Sequence, residues 1–77
     1  MPNITIYTTP TCVYCKMTKS FFNDHSISYE EKDVTADGAA RDAMIQKSGQ
    51  MGVPVIDING EIVVGFNQQK LSQLLGI

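Results

Sequence analysis

The run VPVIDINGEIVVG, Val53–Gly65, constrains this chain more than any other stretch. Two short β-branched segments, Val53–Ile58 and Glu61–Gly65, flank Asn59-Gly60. An Asn-Gly pair between such segments favours a type I′ turn, because both positions need positive φ and the turn twists in the sense of the strands it joins. An antiparallel hairpin is expected here, and the rest of the chain must cover its apolar residues.

The remaining elements follow from local pattern. Ile4–Thr8 (ITIYT), bounded by Pro2-Asn3 and Pro10, reads as a strand, with the composition of a buried parallel one. In VYCKMTKSFFNDH, Val13–His25, the residues Cys15, Thr18 and Phe22 form one stripe flanked by Met17 and Phe21, the period of a helix of about three turns. Ser28–Val34 alternates weakly and reads as a more exposed strand. Asp37 is placed to cap a second helix with Ala40, Ala43, Met44 and Ile45 inward, stopped by Gly49. Asn67 can cap a third, QQKLSQLL, whose Leu71, Leu74 and Leu75 share a face. The order β-α-β-α-β-β-α predicts an α/β fold over residues 1–77: one domain, a four-stranded mixed sheet flanked by three helices.

Bulk properties narrow the function. With 77 residues, three Phe, three Tyr and no Trp, there is room for one modest core. The net charge of −2, with six scattered Lys/Arg, argues against a nucleic-acid partner. Nothing approaches the roughly 20 apolar residues of a membrane span, and no basic stretch leads into an apolar core as in a secretory leader. The expectation is a cytoplasmic monomer with no membrane partner.

Cys12 and Cys15 are the only cysteines, and three readings of a lone CxxC compete. A permanent crosslink closing so short a loop contributes only about 2 kcal/mol, and it needs an oxidising compartment. Half of a zinc or iron–sulfur site needs about four ligands. The single histidine, His25, is ten residues beyond Cys15, about 15 Å along a helix, and suits the helix C-terminus better than catalysis. No metal site is expected within one chain, although a cluster shared between two chains stays open. The third reading is redox chemistry, since a CxxC between a strand and a helix is the thioredoxin-like arrangement. At a helix start, Cys12 faces the unpaired N–H groups of Tyr14 and Cys15 and the positive end of the dipole, which favour a thiolate. Cys12 is then the nucleophile, and Cys15, one turn in, the resolving thiol.

Pro54 opens a segment that otherwise reads as a buried strand, where proline is confined to edges, bulges or first positions. Either it starts the strand with a trans bond, or the Val53–Pro54 bond is cis and turns the Val53 N–H and C=O outward, where an extended substrate can pair with them. Thr11, Tyr14, Val53 and Phe66 would supply the contact surface; Phe66 could equally anchor the last helix in the core.

With their spacing, YTTPTCVYC, GVPVI and Gly65-Phe66 resemble the glutaredoxins over nearly all of the chain. The resemblance implies a thioredoxin-like fold, a dithiol oxidoreductase with no tightly held cofactor, and Pro54 in cis form with Gly65 and Phe66 beside the thiols. It also marks departures. Glutaredoxins usually carry a Lys where this chain has Thr9, and Gly-Gly-x-Asp-Asp where it has Val64-Gly65-Phe66-Asn67-Gln68. A cation for a glutathione carboxylate and acceptors for its amino group are thereby lost, each about 1.5–3 kcal/mol. Val64-Gly65-Phe66 and CVYC are similar to the small bacterial NrdH-type redoxins, which implies thioredoxin reductase as electron donor and protein disulfides, such as those of ribonucleotide reductase or a peroxidase, as targets. A glutathione-dependent glutaredoxin and an iron–sulfur carrier are the alternatives.

Overall fold

The computed structural model describes residues 3–77; Pro2, expected to bound the first strand, lies outside them. Seven elements follow in the expected order: β1 (Ile4–Thr8), α1 (Val13–Asp24), β2 (Glu30–Asp33), α2 (Gly38–Ser48), β3 (Val55–Ile58), β4 (Glu61–Val64) and α3 (Gln68–Leu75). The four strands form one sheet in the order β2-β1-β3-β4, with β1 parallel to β2 and antiparallel to β3. This is the four-stranded mixed sheet with three helices that the element order predicts.

Alternation along the strands divides the core. Ile4 and Ile6 of β1, Ile56 and Ile58 of β3 and Val63 of β4 meet Phe21 and Phe22 of α1 and Leu71 of α3. On the other face Tyr7 and Val55 pack with Val34 and with Ala40 and Met44 of α2. Covered on both faces, β1 is almost wholly buried, which explains its unbroken apolar and β-branched composition.

The turns are set by local chemistry. Asn59 and Gly60 have φ of 53° and 95°, as a type I′ turn requires, and Asp57 Oδ1 accepts from the Gly60 N–H at 2.8 Å. Asp37 caps α2 through the Ala40 N–H at 3.1 Å, Asn67 caps α3 through the Lys70 N–H at 3.1 Å, and Gly49 closes α2 in the left-handed region.

Four expectations need adjustment. β2 spans only Glu30–Asp33 rather than 28–34: Tyr29 packs its ring on Phe22 at 5.5 Å, and Asp33 turns the chain by accepting from Thr35. β3 starts at Val55, not Val53, because Val53 and Pro54 form a bend before the ladder. β4 ends at Val64, since Gly65 has φ of 79° and leaves the strand. Met17, expected to flank the stripe of α1 as Phe21 does, lies outside the core at 44% exposure, while Phe21 is buried.

Candidate active site

Strand register brings the chemistry to one end of the sheet. Tyr7 pairs with Val55 in the antiparallel β1–β3 ladder, so the chain leaving β1 toward the cysteines faces the chain entering β3 through Pro54. Val55 in turn pairs with Val64, and the Gly65 N–H donates to the Pro54 carbonyl oxygen at 2.8 Å. The CxxC loop, Val53-Pro54 and Gly65 therefore lie at the same end of the sheet.

Cys12 is the N-cap of α1, with φ of −83° and ψ of 113°. Its backbone N–H donates to Thr9 O at 3.3 Å, and its sulfur accepts the Cys15 N–H at 3.1 Å. Sulfur thus replaces the oxygen that normally caps a helix, in the place where a negative charge is best accommodated. Of the two amides expected to face that sulfur, only that of Cys15 bonds it. Both cysteines are free thiols; Cys12 is half-buried, whereas Cys15 is 1% exposed. Burial above all, then the hydrogen bond to Cys12, pushes the Cys15 thiol up to about 12, against a backbone hydrogen bond from Thr9 and the charge of Lys19.

Lys19 does not stand free. Its ammonium bonds Glu31 Oε2 at 2.8 Å, and the same oxygen accepts from the buried Thr8 hydroxyl at 2.9 Å. That ammonium, with the Thr8 hydroxyl, holds the Glu31 carboxyl below its ordinary value. Nothing in the sequence marks this cluster, because Thr8 and Glu31 are 23 residues apart.

The Val53–Pro54 bond is cis and Pro54 is buried, so the trans form of this proline is not the one adopted. Around the thiols, Val13, Tyr14 and Met17 on α1 and Met51 beside the Pro54 loop are exposed, at 66%, 61%, 44% and 58%. Thr11 is also exposed, and Val53 is half-buried. Phe66 is half-buried, its ring edge-on to Phe21 at 6.0 Å, so it packs on the core and also lines a shallow groove of about 290 Å³ with Met17, Ser20, Asp24 and Gln68. A larger hollow of about 650 Å³ on the outer side of α3, between Gln68 and Ile77, touches neither cysteine nor Pro54. Asn67 uses its side-chain oxygen to cap α3, and Val64 is 51% exposed.

Among the described residues no three His, Cys, Asp or Glu side chains are grouped as a metal site would need, and no helix is long and apolar enough to cross a membrane. His25 caps the far end of α1, its ring on Phe21 at 4.6 Å.

The glutaredoxin family model matches residues 4–63. The chain belongs to the glutaredoxin family. Among its relatives is an uncharacterized glutaredoxin-like 8.6 kDa protein from the rubredoxin operon of Clostridium pasteurianum, 43% identical over 94% of this chain and 96% of the relative. Among solved structures, a variant of the thioredoxin-like protein BC3987 superposes with a TM-score of 0.93 at 39% identity, covering 100% of this chain and 99% of that one. The glutaredoxin-like NrdH-redoxin of Escherichia coli, described as having a thioredoxin-like activity profile, gives 0.84 at 28% identity, covering 94% and 93%. This glutaredoxin-family chain is a thiol–disulfide oxidoreductase with an NrdH-redoxin among its structural neighbours.

Proposed function

We propose that the protein reduces protein disulfides through a Cys12–Cys15 dithiol and is itself re-reduced by thioredoxin reductase rather than by glutathione. The observation that carries the division of labour is the contrast between the thiols. Cys12 caps a helix and accepts an amide, whereas Cys15 is buried with its proton held tightly. The Cys12 thiolate attacks one sulfur of the substrate disulfide; a mixed disulfide forms and the other substrate sulfur leaves, taking a proton from water. Once the Cys12 sulfur is bonded it carries no charge, and the repulsion that helped to keep Cys15 protonated disappears. Cys15 then releases its proton to solvent and attacks the Cys12 sulfur, and the second substrate thiolate departs and is protonated. Two electrons have passed to the substrate, and the protein holds the disulfide.

The donor preference rests on charge. Thr9 and Val64 offer no charge to glutathione, Asn67 has its oxygen engaged on Lys70, and only Gln68 remains as a neutral substitute for the acidic pair. Substrate protein docks on the backbone of Val53 beside Pro54, flanked by Thr11, Tyr14, Gly65 and Phe66, in the cytoplasm and with the redoxin as a monomer. Ribonucleotide reductase or a peroxidase presents a disulfide of the required kind. The test is NADPH consumption with the oxidised protein. Rapid turnover with thioredoxin reductase and slow turnover with glutathione plus glutathione reductase is expected; the reverse result would overturn the donor assignment.

A further inference from the structure

Between α2 and Pro54, one side chain binds the backbone as a neighbouring strand would. The Gln50 side-chain amide donates from Nε2 to the Gly52 carbonyl oxygen at 3.0 Å, and its Oε1 accepts the Gly52 N–H. Both backbone groups of Gly52 are thereby satisfied by one planar amide, in the two-bond pattern that paired strand residues exchange. The clamp is tied back to α2. Gln50 Nε2 lies 3.4 Å from Ser48 Oγ, which is 2.7 Å from the Met44 carbonyl oxygen and 3.0 Å from that of Gln50. Met44 is a core residue, 1% exposed, so the anchor belongs to the packed face of α2.

Two further observations bear on what the clamp is for. A Cβ added at Gly52 would stand 2.5 Å from Gln50 Oε1, so glycine leaves the space that the amide fills. The next residue, Val53, has neither its N–H nor its C=O bonded among the described residues. Gly52 is saturated and its neighbour is open.

We infer that Gln50 is a positioning residue for an extended peptide disulfide: by pairing with Gly52 it holds Val53 in place to pair with the substrate backbone. This rests on the proposed docking at Val53. A substrate with no backbone to pair gains nothing from the clamp, so Gln50 selects for peptide disulfides over small ones.

Stopped-flow oxidation of the reduced protein by a linear peptide disulfide and by hydroxyethyl disulfide tests this without any electron donor. Gln50→Ala should slow the peptide reaction about five- to tenfold, the worth of one or two hydrogen bonds, and leave the small disulfide within about twofold. Gly52→Ala, which displaces the amide, should match it, and the double variant should be no slower than either single one. Should Gln50→Ala fail to fold, Gln50→Glu keeps the acceptor, loses the donor and should slow the peptide reaction about threefold. Equal slowing with both disulfides, or none with the peptide, would overturn the role of Gln50. Methylating the peptide amides that flank its cysteine separates this from the docking reading. If methylation leaves the wild-type rate unchanged, docking at Val53 itself is wrong; if it slows the wild type while the variants remain fast, only the clamp is wrong.

Discussion

Two consecutive residues of β1, Tyr7 and Thr8, point to opposite faces of the sheet, and each buried hydroxyl ends on a lysine–carboxylate pair. On the α2 face Lys47 donates to the Tyr7 hydroxyl at 3.0 Å and to Asp57 Oδ2 at 2.8 Å. On the α1 face Thr8 donates to Glu31, which holds Lys19. The first pair satisfies a tyrosine that is 2% exposed within an aliphatic cluster. The second does the same for Thr8 and also sets a positive charge near enough to Cys15 to lower its thiol. One polar device is therefore structural on one face and electrostatically coupled to the buried cysteine of the CxxC on the other.

The sharpest division between the faces concerns turnover. Cys12→Ser should abolish disulfide reduction, and Cys15→Ser should accumulate a mixed disulfide detectable by intact mass; full turnover by the Cys12 variant would reverse the roles. Stability is the next scale. Phe22, 0% exposed where α1 meets the sheet, should cost about 3–5 kcal/mol as Phe22→Ala in urea unfolding. Lys47→Met leaves the Tyr7 hydroxyl without its donor and should cost about 1–2 kcal/mol with disulfide reduction unaltered. A change in redox rate there would break the contrast between the faces. The smallest effect is expected at Lys19. In a Cys12→Ser background, Lys19→Met should move the Cys15 titration, followed by thiolate absorbance, further upward while hardly changing stability, because the Lys19–Glu31 pair is partly exposed. Since burial holds Cys15 protonated, folding stability should itself fall as pH rises from the ordinary thiol value of 9.0 toward about 12.

What could be read from the sequence was what acts over a few residues. The Asn59-Gly60 turn and the caps at Asp37 and Asn67 are each decided within four positions, and all three stand where their residue types require. The inequality of the cysteines was legible for the same reason, since it follows from one being the cap and the other a turn inside. The limits of β2 were not legible, because an edge strand pairs on one side only and its ends depend on where Tyr29 and Asp33 find partners. Met17 and Phe21, expected to flank the stripe alike, differ in burial because the inward side of α1 is defined by α3 and Phe66, remote in sequence. The Thr8–Glu31–Lys19 cluster is of that remote kind too. The Gln50 clamp is local, but a lone Gln in a loop carries no pattern that marks it.

The amide that bonds Cys12 sulfur gives the molecule an internal gauge. In the reduced protein the Cys15 amide proton is bonded to the Cys12 sulfur; in the proposed Cys12–Cys15 disulfide that sulfur is a poorer acceptor. Its magnetic resonance frequency and its rate of exchange with deuterium should therefore follow the electron count directly. A single backbone signal at the start of α1 could report the redox state of the protein inside a working mixture, with no dye, label or second enzyme.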